Sequence, residues 1–191
     1  MQWNQHYDQR DKHAFLSASK YHWIRYDDEK LLDAFDKHMD AALGTRLHAF
    51  AAEAINLGQL LPNNNLTLNL YVNDCIGYRM DVERILFYSI NAFGTCDAIW
   101  FGPDPKDPTG PFLLRIFDLK NGVTLAKVDQ LMVYAAFFCL EYKVRPGEIQ
   151  YDIRIYQNDE VAYFDTDPED IAYIMDRIIS FDKLIEKAKE V

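Results

Sequence analysis

"FGTCDAIWFGPDPKDPTGPFLLRIFDLKNG", residues 93–122, decides how this chain is read. Two apolar runs, "DAIWF" (97–101) and "FLLRIFDLK" (112–120), flank a loop built of Pro, Gly and Asp. Such a pattern predicts an antiparallel hairpin. With the turn centred near Asp107, Asp97 and Asp118 fall opposite or nearly opposite one another, where facing side chains stand roughly 5 Å apart. Like charges that close are destabilising unless something positive lies between them. Strand alternation puts Lys120 on the Asp118 face, one pleat further on. Asp97, Asp118 and Lys120 therefore converge on one patch. A hard cation such as Mg²⁺ takes one or two such carboxylates and fills its other positions with water or phosphate oxygens. Taken on the hairpin alone, a surface hairpin with exposed charges and a salt bridge is equally compatible.

The 191 residues are 49% hydrophobic and include 12 Tyr and 12 Phe, which suits one globular domain over residues 1–191. No run of ~20 apolar residues is present, so a membrane-spanning helix is excluded. The first residues, "MQWNQHYDQRDKHAF", are polar and mixed in charge without an apolar stretch, and a cytoplasmic protein is expected. A formal net charge of -10 argues against polyanion binding over the whole surface. Any nucleic-acid contact has to be local, with Lys and Arg grouped around one cleft. Cys75, Cys96 and Cys139 are widely spaced and odd in number, which suggests reduced core thiols and no zinc or iron–sulfur spacing.

Ser17 is a plausible N-cap for a short helix carrying Tyr21 and Ile24. A helix from about Asp28 to Leu43 places Leu31, Leu32, Phe35, Met39 and Leu43 on one face, and Gly44 is read as its end. Thr45 is read as the cap of a second helix with Leu47, Ala51, Ala54 and Ile55 toward the core. Residues 62–65 form a loop, 66–76 a helix and 84–88 a short strand. After the hairpin, "LAKVDQLMVYAAFFCLEYKV" reads as a buried helix. "EIQYDIRIYQND" and "EVAYFDTD" alternate as paired strands joined by "QNDE", and Pro168 opens a C-terminal helix. That order predicts an α/β fold, a mixed sheet covered by helices on both faces.

Five motifs occur in order: "LSASK", "GTRLH", "GTCDAIWF", "RIFDLKNG" and "DQLMVYAAFF". On these the chain resembles the PD-(D/E)xK nucleases, and within them the RecB-like branch that also includes Cas4-type nucleases and many phage exonucleases. The resemblance covers most of the chain and implies a restriction-endonuclease-like core. It implies His48, Asp97, Asp118 and the backbone carbonyl of Leu119 as ligands of Mg²⁺ or Mn²⁺. It implies Lys120 as the catalytic lysine, and Gln130 and Tyr134, which share one helical face, as supports for Lys120 or contacts to the DNA backbone. The four cysteines of the cluster-bearing relatives are missing, so no iron–sulfur cluster is expected.

The chemistry is coherent beside the resemblance. Phosphodiester hydrolysis needs a metal to activate water and a positive group for the charge that builds on the phosphate. Mixed imidazole and carboxylate ligands suit Mn²⁺ or Mg²⁺.

Each residue also has an ordinary reading. His48 alone reads as a hydrogen-bonded histidine, Gln130 as satisfying a buried backbone group, and Tyr134 and Cys96 as core. Glu83 reads as a solvated charge, with a further acidic ligand as the alternative, and Glu53 points roughly 140° away from His48 on a helix. Lys127, Lys143 and Arg145 read equally well as lining a DNA cleft or as solvated charge. Tyr21, Trp23 and Tyr26 read as packing, with base stacking the alternative.

The expectation is a Mg²⁺- or Mn²⁺-dependent deoxyribonuclease, an exonuclease of phage or mobile-element type working through a metal-activated water. DNA is the expected partner, with a protein partner in recombination or phage replication. Two alternatives differ in class: a non-catalytic nucleic-acid- or protein-binding member of the same fold, and an acidic DNA mimic that inhibits a DNA-binding protein.

Overall fold

The computed structural model describes residues 14–189; Tyr21, one of the candidate stacking aromatics, and Ser19 and Lys20 of "LSASK" have side chains outside the described residues. The chain divides into two compact units between Thr45 and Arg46.

In the first unit, residues 18–25 form a 3₁₀ helix. Ser17 stands at its N-cap position and makes no side-chain capping bond; its carbonyl accepts the Trp23 indole N–H at 3.0 Å. The long helix α1 runs Asp28–Asn56, its residues to Thr45 in this unit and those from Arg46 in the second. Asp27 caps it, Oδ1 accepting the Lys30 N–H at 2.8 Å. The expected break at Gly44–Thr45 does not occur. A lone glycine costs a helix only about 1 kcal/mol, and the Thr45 hydroxyl donates back to the Ala41 carbonyl at 3.1 Å instead of capping a new helix. Leu32, Phe35, Met39 and Leu43, expected on one face of that helix, are exposed.

In the second unit, helix α2 spans Thr67–Gly77, and five strands follow: β1 Asp81–Ser89, β2 Ala92–Asp104, β3 Asp107–Leu119, β4 Ile149–Gln157 and β5 Glu160–Phe164. They form one sheet in the order β1-β2-β3-β4-β5. All neighbours are antiparallel except β3 and β4, which are parallel and joined through helix α3, Asp129–Tyr142. Parallel neighbours require such a crossover. Helix α4, Pro168–Lys189, ends the chain's described part.

Two apolar clusters sandwich the sheet. Leu114, Ile116 and Ile153 pack with Leu131, Ala135 and Phe138 of α3 and Ile171 of α4. Phe117, Leu119 and Tyr156 pack with Ala51, Ala54 and Ile55 at the end of α1 and with Tyr71, Val72 and Cys75 of α2. The small alanines let α1 approach the sheet closely, and each large side chain fully buried contributes roughly 1.5–3 kcal/mol. The α/β class and the sheet with helices on both faces follow the expectation. The β4–β5 turn also follows it: Asn158 and Asp159 both have positive φ, 53° and 60°, as a two-residue hairpin turn requires. Among the described residues no helix is long and apolar enough to cross a membrane.

Candidate metal centre

The β2–β3 ladder reaches its last pair at Ala98↔Phe117, and one step further stand Asp97 and Asp118, facing each other as expected. There the strands part. The Leu119 N–H, which would continue the ladder, donates to Asp97 Oδ2 at 3.1 Å. On the other side the Lys120 N–H keeps its bond to the Tyr156 carbonyl of β4 at 2.9 Å. The hairpin itself turns at Pro105–Lys106, between Asp104 and Asp107, because a register shift after Pro103 moves the tip from the expected centre near Asp107.

His48 lies one turn before Ala51 on α1, and its Nδ1 is 3.3 Å from Asp97 Oδ2. On the other flank, Glu83 of β1 stands across from Asp97, between the pairs Val82↔Ala98 and Arg84↔Cys96. Its backbone is left-handed, φ 53°, which is rare for a side chain of this kind. One ligand atom each from His48, Glu83 and Asp97 lie within 4.8 Å of one another, a group able to hold a metal ion. Glu83 is exposed, as its reading as a solvated charge expects, and it also stands where its alternative, a further acidic ligand, would place it. Glu53, as expected, is not in the group. What brings Glu83 to Asp97 is tertiary: only the β1–β2 register sets the two opposite one another.

Asp118 is 2% exposed. Its Oδ1 accepts from Lys120 Nζ at 3.1 Å. Its Oδ2 also lies 3.0 Å from that nitrogen but in poor alignment, and has no hydrogen bond. A buried, unsatisfied carboxylate oxygen is costly and calls for an explanation. Burial first, and then the charge of Asp97, raise the Asp118 pKa from 3.8 to about 6. Glu83 is raised by burial and by Asp97 as well. His48 is raised chiefly by its hydrogen bond to Asp97. The centre thus gathers more negative charge than Lys120 and His48 offset.

Lys120 Nζ donates to Gln130 Oε1 at 3.0 Å, and Gln130 Nε2 donates to the Tyr134 hydroxyl at 3.1 Å. Gln130 and Tyr134, one turn apart on α3, therefore support Lys120 in series. Gly94 lies against Tyr134: a Cβ there would sit 3.0 Å from Tyr134 Cε1. Gln157, which the sequence reading passed over, pins the loop between Lys120 and Gln130. Its amide donates to the carbonyls of Gly122 and Thr124, and its oxygen accepts the Ala126 N–H. The only signal in sequence was a glutamine closing an alternating strand.

The remaining candidates are dispersed. Lys127 and Lys143 stand before and after α3, about 21 Å of helix apart, and Arg145 pairs with Glu148 at 3.1 Å. Trp23 and Tyr26 belong to the first unit, where Lys30 lies over the Tyr26 ring. Cys75, Cys96 and Cys139 are buried free thiols.

The donor set fits a hard divalent cation: carboxylate oxygens, one imidazole, and an unsatisfied Asp118 Oδ2 beside them. No protein-family model, curated protein or solved structure matches the chain.

Proposed function

We propose that this protein is a metal-dependent deoxyribonuclease, a hydrolase of DNA phosphodiester bonds. The observation that carries the reading is the placement of Lys120 Nζ, held between Asp118 and Gln130 next to the His48–Glu83–Asp97 group. The mixed sheet with helices on both faces also supports it, being compatible with the restriction-endonuclease-like core that the resemblance to PD-(D/E)xK nucleases implies.

Asp97 and Asp118, from facing strands, and His48 would hold Mg²⁺ or Mn²⁺, with Glu83 and the Leu119 carbonyl as further ligands. When bound, such an ion acts as a Lewis acid on a phosphoryl oxygen and lowers the pKa of water. The chain's own residues do the rest. The Leu119 N–H fixes Asp97 Oδ2, so that carboxylate does not swing. Tyr134 orients the Gln130 amide, and Gln130 Oε1 together with the Asp118 carboxylate fixes the position of the Lys120 ammonium. Lys120 then presents a fixed positive charge to an incoming phosphate, worth more in a partly desolvated site than in water.

Asp118→Ala and Lys120→Ala test the reading. Each is expected to abolish divalent-dependent DNA cleavage while leaving far-UV circular dichroism unchanged. Full activity in both variants would refute it.

A further inference from the structure

A cavity of about 780 Å³ opens where edge strand β1 begins. Pairing of β1 with β2 ends at Asp81↔Ile99, so Trp100 and Phe101 run on without a β1 partner. These two rings and Tyr142 line the space, together with Asp81, Glu83 and Arg84. Its size is that of a small-ligand site.

The aromatic wall is built in advance. Phe101 packs on Phe138 with centroids 4.8 Å apart, and Phe138 on Tyr142 at 4.9 Å with planes 34° apart. Phe138 is buried beneath, while Tyr142 is 59% exposed and offers an open ring. Trp100 leaves the strand on the opposite face to Phe101 and meets the space at the strand edge, its ring lying on Gly102, where a Cβ would come within 2.8 Å, and against the Arg115 guanidinium 4.9 Å away. Beside the rings, Arg84 is paired to Asp81 at 2.7 Å, placing a donor fork and carboxylate acceptors at one edge of the space.

Glu83 belongs to both this cavity and the metal group. Along β2, Trp100 is three residues from Asp97, about 10 Å of strand. The cavity therefore adjoins the place where the phosphate would be cut.

We propose that this cavity binds a nucleobase of the substrate strand, from a nucleotide neighbouring the phosphate at the metal centre. The inference rests on the nuclease reading. Flat apolar rings stack a base of any sequence. Two carboxylates against one guanidinium disfavour a phosphate in the same space. The Asp81 carboxylate, bonded to Arg84 through Oδ1, has its other oxygen to accept from an exocyclic amino group, as acidic residues do from cytosine N4, so bases bearing an amino group are preferred to thymine.

The test compares kcat and KM for Mn²⁺-dependent cleavage of a single-stranded oligodeoxynucleotide by wild type, Tyr142→Ala and Tyr142→Phe. Tyr173→Ala, on α4 and 64% exposed, is the control. In parallel, wild type is assayed on oligonucleotides carrying one abasic residue at successive positions. Tyr142→Ala is expected to raise KM about tenfold, with Tyr142→Phe restoring it and the control unchanged. One abasic position is expected to raise wild-type KM by a similar factor and to add nothing in Tyr142→Ala. Cleavage by wild type with KM indifferent to Tyr142→Ala and to every abasic position would overturn the base site and leave the nuclease reading standing. The abasic scan uses wild type alone, so a folding defect in the variant does not obscure it. If wild type neither binds nor cuts the oligonucleotide, the base site falls, and the nuclease reading falls with it only if double-stranded DNA is not cut either.

Discussion

Glu83 faces Asp97 across the β1–β2 ladder from a left-handed backbone, φ 53°. A strand needs neither the strain, about 1–2 kcal/mol for a residue with a Cβ, nor two carboxylates in opposition. A bound cation offsets the repulsion, so the pair makes sense as a ligand set. Glu83→Gly removes both costs. In EDTA the variant is expected to melt about 2–4 °C higher than wild type, while its Mn²⁺ affinity falls at least about tenfold. Thermal melts with and without Mn²⁺ check this, and unchanged Mn²⁺ affinity would remove Glu83 from the centre.

Asp118 predicts a pH-dependent stability. Its folded pKa, about 6, lies above its ordinary 3.8. Between those values the folded state keeps a proton that the unfolded state has released, so this group's contribution to stability falls as pH rises through the window and stays low above it. At 1.36 kcal/mol per unit the shift corresponds to about 3 kcal/mol at most. Asp118→Asn is therefore expected to stabilise the metal-free protein by about 1–3 kcal/mol at pH 7.5, with the gain vanishing near pH 4. Urea unfolding in EDTA across that range measures it. A gain that does not change with pH would contradict the charge argument.

Metal binding should release protons. His48 and Asp118 both have raised pKa values, and both must be deprotonated to ligate. Mn²⁺ affinity is expected to rise at least about tenfold from pH 5.5 to 7.5. Calorimetry in buffers of different ionisation enthalpy should show net proton release at the lower pH. Equal affinity at both would mean that neither group is a ligand.

Gln130 acts through Lys120. Gln130→Ala removes the acceptor at 3.0 Å and leaves Lys120 Nζ positioned by Asp118 alone. The expected result is a fall in kcat of about 10- to 100-fold with KM for DNA within about twofold. Gly94→Ala, by crowding Tyr134, should move kcat in the same direction by less. A change confined to KM would assign Gln130 to DNA contact instead.

Much of this centre was legible in the chain. Asp97, Asp118 and Lys120 follow from two apolar runs of fixed length around a turn, because pairing and alternation dictate which side chains face. Helix α3 and the β4–β5 turn at Asn158–Asp159 were legible for similar local reasons. Two features were not. Gly44–Thr45 carries the usual signals of a helix end, yet α1 continues through it, since neither residue forbids a helix and Thr45 bonds back to Ala41. Glu83, which the sequence offers as a ligand only as an alternative, carries no local sign of its place opposite Asp97, because Asp97 sits 14 residues away on another strand and the strained φ is visible only in three dimensions.

The most direct test is incubation of end-labelled linear DNA and covalently closed circular DNA, each single and double stranded, with Mn²⁺, Mg²⁺ or EDTA, wild type beside Asp118→Asn. The account predicts cleavage of DNA by wild type with either ion, none in EDTA, and none by Asp118→Asn; release of label from linear DNA alone would mark action from the ends. No cleavage of any substrate by wild type in either ion, or equal cleavage by Asp118→Asn, would contradict it.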